Sequence, residues 1–229
     1  MNLSADDTPP YQVPHSRESI RLLFRDPHLL IVDKPTLLLS VPGRHPLNHD
    51  CLLNRLSVCY PGVSAVHRLD LDTSGVMVIP RHREALSRLA RQFQERRIDK
   101  TYIARVAGHV TEDVGECDLP LIADWPNRPK QKVCFETGKQ ALTRWQVLSR
   151  DDDSSLLALT PVTGRSHQLR IHMREIGHPI LGCDFYASEA VLNAAPRLLL
   201  HATSLRFSHP LSGEMLTAHS PAPTAFYPS

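Results

Sequence analysis

Short apolar segments of strand length recur along this chain, and turn-forming residues divide them. Residues 20–25 and 29–33 are two such segments, separated by Asp26-Pro27-His28, and read as strand, turn and strand. Residues 101–106, 142–148, 156–160, 198–208 and 214–218 read as further strands, the last two joined by the turn-rich Ser208-His209-Pro210-Leu211-Ser212-Gly213. Helical spacing is found in residues 51–60, where Leu52, Leu53, Leu56 and Tyr60 recur, and in residues 84–97, where Leu86, Leu89, Ala90 and Phe93 form one stripe. There is no regular strand–helix alternation and no internal repeat. The pattern predicts an α+β fold with a mixed, mainly antiparallel sheet and flanking helices and loops.

Composition narrows the classes of function. At 229 residues and 41% hydrophobic content the chain can bury a substantial core. No apolar stretch is long enough to cross a bilayer, and Met1-Asn2-Leu3-Ser4-Ala5-Asp6-Asp7 lacks the basic and apolar regions of a signal peptide, so a soluble cytoplasmic protein with no membrane partner is expected. Cys51, Cys59, Cys117, Cys134 and Cys183 are odd in number, scattered and never paired as C-x-x-C, which argues against both a disulfide framework and a zinc site. The formal net charge of +2 hides an uneven distribution. Residues 81–100 carry seven cations against three anions, and residues 125–150 carry six against one, Glu136. Two basic stretches in a near-neutral protein predict a one-sided phosphate footprint, although the first would also serve as an ordinary solvated helix face.

Residues 66–79 concentrate the reactive chemistry. Asp70 and Asp72 sit in a polar loop between apolar segments expected to hold each end in a sheet, with Thr73-Ser74-Gly75 supplying turn chemistry. Arg68 and Asp70 lie two apart and share a face if the chain is extended. On these residues alone Asp70 and Asp72 are equal candidates, and each could be no more than a turn or capping residue. His67, His167, His172 and His201 match no metal-site spacing, and none is assigned to a metal.

The segment His67-Arg68-Leu69-Asp70-x-x-Thr73-Ser74-Gly75 is similar to the active-site motif of the RluA family of pseudouridine synthases. Val32-Asp33-Lys34-Pro35, Lys100-Thr101-Tyr102, Thr163-Gly164-Arg165-Ser166-His167-Gln168-Leu169-Arg170-Ile171-His172 and Leu198-Leu199-Leu200-His201-Ala202 extend the resemblance from about residue 18 to the C-terminus. It implies the pseudouridine synthase catalytic fold as a single domain over residues 18–229, preceded by a flexible arm at residues 1–17 and with no S4-like RNA-binding domain. It implies Asp70 as the catalytic carboxylate, Arg170 as the cation beside it, and Tyr102 as the ring that stacks on the target uracil. Arg68 becomes the wedge that fills the gap left by an extruded nucleotide, a role suited to a long, planar, stacking side chain. His67, Lys34 and Arg165 are assigned to RNA contact. Arg128, Lys130 and Lys132, in a proline-punctuated loop with Trp125, suit a clamp on an RNA stem-loop. No cofactor, DNA partner or oligomer is implied. Residues 39–44 and 124–134 are similar to the small dual-specificity member of the family, which implies stem-loops of 23S-type rRNA and of the tRNA anticodon arm as partners. One segment departs from the pattern: Leu181-Gly182-Cys183-Asp184 places its acid one position late.

Making pseudouridine breaks the N1–C1′ bond, turns the base and joins C5 to C1′ with no net change in atoms. A carboxylate there can attack the sugar, stabilise a cation on it, or remove the C2′ proton. Two rival readings use the same residues. A non-catalytic RNA-binding module would need only the basic stretches, and a glycosidase would need Asp70 and Asp72 across a substrate, which a two-residue spacing on one loop does not provide.

Overall fold

The computed structural model describes residues 13–14 and 16–227. Most of the expected arm, residues 1–12 and residue 15, lies outside them. The described residues of the arm make hydrogen bonds to the fold. The Val13 N–H donates to Asn48 Oδ1 at 3.0 Å, and Arg55 Nη2 donates to the carbonyl of buried Ser16 at 2.7 Å.

One nine-stranded sheet organises the chain. Its strands are β1 (Arg21–Arg25), β2 (Leu29–Lys34), β3 (Ser74–Pro80), β4 (Asp99–Ala107), β5 (Val114–Asp118), β8 (Leu142–Arg150), β9 (Ser154–Pro161), β10 (Leu200–Ser208) and β11 (Met215–His219). The order is β1-β2-β3-β10-β4-β9-β8-β5, with β11 also on β10. Every pair is antiparallel except β3 with β10, so the sheet is mixed and mainly antiparallel. A separate hairpin, β6 (Leu121–Ala123) with β7 (Gln131–Val133), projects between β5 and β8. The helices are α1 (Leu52–Cys59), α2 (Arg83–Gln94), α3 (Gln168–Glu175) and α4 (Glu189–Asn193).

The central strands are apolar without alternation because both faces are covered. Leu29 and Ile31 of β2 and Val76 and Val78 of β3 face Leu89 of α2, whereas Leu30, Val32, Met77 and Ile79 face Leu52 and Leu56 of α1. A third core, including Val106, Leu157, Leu159, Ile171 and Met173, packs α3 against β4 and β9.

Residues 66–73 are not held by a strand at each end. Only the following end enters the sheet, as β3, and the preceding residues run as irregular chain from α1. Gly75 makes that entry possible. Its φ is +119°, and a Cβ there would stand 2.2 Å from the carbonyl oxygen of Ala202 on β10. Gly75→Ala is therefore expected to destabilise the protein by about 3 kcal/mol or more, through positive-φ strain added to a backbone clash, and urea unfolding measures it.

Candidate active site

A cavity of about 540 Å³ opens where residues 66–73, β4 and the start of α3 meet. Asp70, Tyr102 and Arg170 all line it, as do Arg68, His67 and Arg165. Asp72, the equal of Asp70 on spacing alone, does not line it. Burial raises the pKa of Asp72, and its backbone carbonyl is held by Thr36 Oγ1 at 2.8 Å.

The loop that carries Asp70 is fixed through its backbone. Ser40 Oγ donates to the Leu69 carbonyl at 2.7 Å and accepts the Leu69 N–H at 3.0 Å. Lys34 Nζ donates to the Leu71 carbonyl at 3.2 Å, and Arg197 Nη2 reaches the Asp72 carbonyl at 3.3 Å and Ser74 Oγ at 2.7 Å. The Thr73 N–H closes a turn onto the Asp70 carbonyl at 3.2 Å. Each flanking residue is thus held, and the Asp70 side chain is left to face the cavity.

Tyr102 arrives on β4, in register with Ala202 of β10 and Leu159 of β9. Burial, and next the charge of Asp70, push its phenol pKa well above the ordinary value, so the hydroxyl stays protonated.

Arg170 is 1% exposed on α3. Its ion-pair partner is Asp184, not Asp70, and its Nε and Nη2 each lie 3.3 Å from Cys183 Sγ. This corrects the expectation of a direct Arg170–Asp70 pair. The late acid of Leu181-Gly182-Cys183-Asp184 is what anchors Arg170. Asp70 lies close enough to favour the charged guanidinium, after Cys183 and Asp184. Rings of Phe185 and Tyr186 lie 5.1 and 5.3 Å from its Cζ.

Two residues assigned to RNA contact have other work. Lys34 is 0% exposed, and its Nζ is spent on the carbonyls of Pro35 at 2.9 Å, Leu38 at 2.7 Å and Leu71. Burial pushes its pKa down to about 7, against the pull of Asp70 and Asp72. His67 accepts the Val78 N–H on Nε2 at 3.1 Å and stacks on Phe93 with ring centroids 4.8 Å apart. Burial lowers its pKa to about 3, so it is a neutral brace of the loop. His172 and His201 also use both ring nitrogens internally, on Thr143 and Leu119, and on Ser74 and Ser220.

Arg68 is exposed at the cavity mouth with Nη2 3.2 Å from Ser166 Oγ, and Arg165 Nε donates to the Gln140 carbonyl at 3.1 Å. Arg128, Lys130 and Lys132 lie on the β6–β7 hairpin. The Arg128 guanidinium carbon stands 3.1 Å from the centroid of the Trp125 ring, which is 66% exposed, and Lys132 Nζ is 3.7 Å from Asp124.

Four residues join the site that motif reading passed over. Lys100 and Arg96 line the cavity, and burial lowers the Lys100 pKa. Arg96 follows α2 at a φ of +56°, the position where a helix normally ends on glycine, with a side chain that makes no ion pair among the described residues. His167 and Tyr186 link α3 to Asp70 and to the hairpin. Lys100 and His167 carried a sequence signal, as members of Lys100-Thr101-Tyr102 and of residues 163–172, and Arg96 lay in the basic stretch 81–100, whereas Tyr186 carried none.

A carboxylate and a protonated phenol in one cation-rimmed cavity suit an enzyme that handles a single base of a polyanion. The family model described as RNA pseudouridylate synthase matches residues 28–175. The dual-specificity RNA pseudouridine synthase RluA of Yersinia pestis is 55% identical over 193 residues, covering 84% of this chain and 94% of its own. The protein of the same name from Escherichia coli K12 is 51% identical over 202 residues, covering 88% and 92%. Among solved structures, human RNA pseudouridylate synthase domain containing 1 superimposes with a TM-score of 0.75 at 30% identity, covering 91% of this chain and 85% of that one. The chain belongs to the RNA pseudouridylate synthase family. It is an RNA pseudouridine synthase, an isomerase, and no described helix is long and apolar enough to cross a membrane.

Proposed function

We propose that this enzyme converts uridine to pseudouridine in stem-loops of both 23S-type rRNA and the tRNA anticodon arm, acting as a cytoplasmic monomer with Asp70 as its catalytic carboxylate. The observation that carries the assignment is the backbone clamp on residues 69, 71 and 72, which leaves one carboxylate, that of Asp70, facing the cavity beside Tyr102. The relatives that share half of these residues are named as dual-specificity enzymes, which supports two RNA substrates.

In this reading the target nucleotide leaves its stack and Arg68 fills the gap. Tyr102 stacks on the uracil, and Asp70 meets the sugar as N1–C1′ breaks. Arg170, locked by Asp184, is a fixed positive charge lining the same cavity. The base turns, C5 bonds to C1′, the C5 proton leaves to solvent, and N1, freed from C1′, takes up a proton from solvent in its place. Because the Tyr102 hydroxyl stays protonated, it can relay the C5 proton only by passing its own on to solvent as it takes the new one. No atom is gained or lost, so the reaction as written needs no cofactor. Lys100 and Arg96 are placed to meet the phosphates beside the extruded base.

The test uses an anticodon stem-loop and a 23S-type helix, each with tritium at uridine C5. Both should release tritium with this protein and neither with Asp70→Ala, and release from one RNA alone would refute dual specificity. Replacing Arg128, Lys130 and Lys132 together by Ala should raise KM with kcat nearly unchanged. Every cation removed from a phosphate should also flatten the plot of log affinity against log salt by about one unit, as titration at several salt concentrations would show.

A further inference from the structure

Asp70 is connected to the RNA-facing hairpin by a chain of polar atoms that runs through two residues with no role in the chemistry above. The Gln131 N–H, at the start of β7, donates to Tyr186 Oη at 2.9 Å. Tyr186 Oη lies 2.5 Å from His167 Nδ1. His167 Nε2 in turn stands 4.0 Å from Asp70 Oδ1.

One tautomer of His167 completes the chain: the Tyr186 oxygen accepts the Gln131 N–H and, in the arrangement we assign, gives its own proton to Nδ1. Burial raises the Tyr186 pKa to about 12, which keeps that proton on the phenol side of its titration. A neutral imidazole with Nδ1 accepting carries its hydrogen on Nε2, aimed at the carboxylate. Burial also lowers the His167 pKa, in keeping with a neutral ring.

The backbone holds His167 at this angle. It caps α3 at a φ of +55°, a left-handed conformation that few non-glycine residues adopt, and it makes no side-chain capping bond there. Its ring is stacked on Phe185, centroids 5.7 Å apart, and set edge-on to Tyr186 at 5.5 Å. A strained, packed histidine whose free N–H stops about an ångström beyond hydrogen-bond range of Asp70 is a part set for closure, since catalytic hydrogen bonds often tighten only once substrate is bound.

We infer that His167 is a positioning residue for Asp70, and that Tyr186 ties its aim to the hairpin, so that RNA seated on the hairpin closes the His167–Asp70 gap. The inference rests on the assignment of Asp70 and of the hairpin made above. It makes stem-loop recognition and the readiness of the carboxylate one event.

Single-turnover rates and filter-binding affinities with the anticodon stem-loop test it. Tyr186→Phe keeps the ring and removes both hydrogen bonds. It is expected to slow turnover by about ten- to a hundredfold, the scale of a reacting group misplaced by an ångström, with Kd within about twofold of wild type. His167→Asn, which tolerates a positive φ but is too short to reach Asp70, should show the same split. The double variant should be no slower than His167→Asn, because both changes cut one chain. Wild-type turnover in either variant, a loss confined to Kd, or losses that multiply in the double variant would overturn the inference. If Tyr186→Phe fails to fold, His167→Asn decides alone by the same split. An unmodified protein that forms no pseudouridine on this RNA would refute the function itself, not the coupling.

Discussion

Asp70→Asn should bind its stem-loop as the unmodified protein does and release no measurable tritium. The two side chains have nearly the same size, and the bonds that shape the loop run to the backbone of Leu69, Leu71 and Asp72, so the substitution leaves that scaffold standing. Among the described residues the carboxylate makes no side-chain hydrogen bond, and its ion-pair approach is that of His167 at 4.0 Å, so its loss should move Tm by no more than about 2 °C. An amide can neither attack the sugar, nor balance a cation there, nor take a proton from C2′. The expected loss in kcat is therefore at least about a thousandfold, as when the central group of a catalytic set is removed. Turnover within tenfold of wild type would show that the carboxylate is dispensable and that the cavity serves binding alone.

Lys34→Met should be as damaging to stability as the loss of Gly75. It strips the donor from three carbonyls, those of Pro35, Leu38 and Leu71, around a side chain with no exposed surface. Unsatisfied buried carbonyls cost more than the methionine regains by avoiding a buried charge, for a net loss of about 3 kcal/mol and a fall in Tm of roughly 6–12 °C. The pH dependence separates this from a packing defect. In the unfolded chain Lys34 holds its proton to its ordinary value of 10.5, whereas in the folded protein it releases it near 7. Between those values the unfolded state binds more protons, so the Lys34 contribution to stability rises with pH, by about 2 kcal/mol from pH 7.5 to 9.5. Urea unfolding at both pH values should show this rise in the unmodified protein and its absence in Lys34→Met. An equal pH response in the two proteins would show that Lys34 is not the titrating group.

The sheet was legible wherever apolar runs were long enough to mark a strand or a stripe. Residues 84–97 predict α2, and residues 29–33 and 101–106 predict β2 and β4, each within a few residues, because each is bounded by turn or capping residues. The β6–β7 hairpin left no such mark, since its strands are three residues long and its connection is proline-rich. The family resemblance named Asp70, Tyr102 and Arg170 together, and all three line one cavity, whereas Lys34, assigned to RNA contact, is wholly buried. A lysine before a proline at a strand end looks solvent-facing, and only the return of residues 69–72 over it creates the burial. The Arg170–Asp184 pair and the link from Gln131 to His167 join residues far apart in sequence that share no pattern, and only the folded chain brings them together.

The Arg197 bonds to Asp72 and Ser74 span 125 and 123 residues, and His201 on β10 reaches back 127 residues to Ser74. Residues 66–75 emerge in synthesis after Lys34, Thr36 and Ser40, which brace residues 69–72, but well before Arg197 and His201, which complete the hold. Contacts of such separation close late in folding. A growing chain therefore carries the Asp70 loop with only its local braces in place, and the loop is fully fixed only when β10 has docked beside β3.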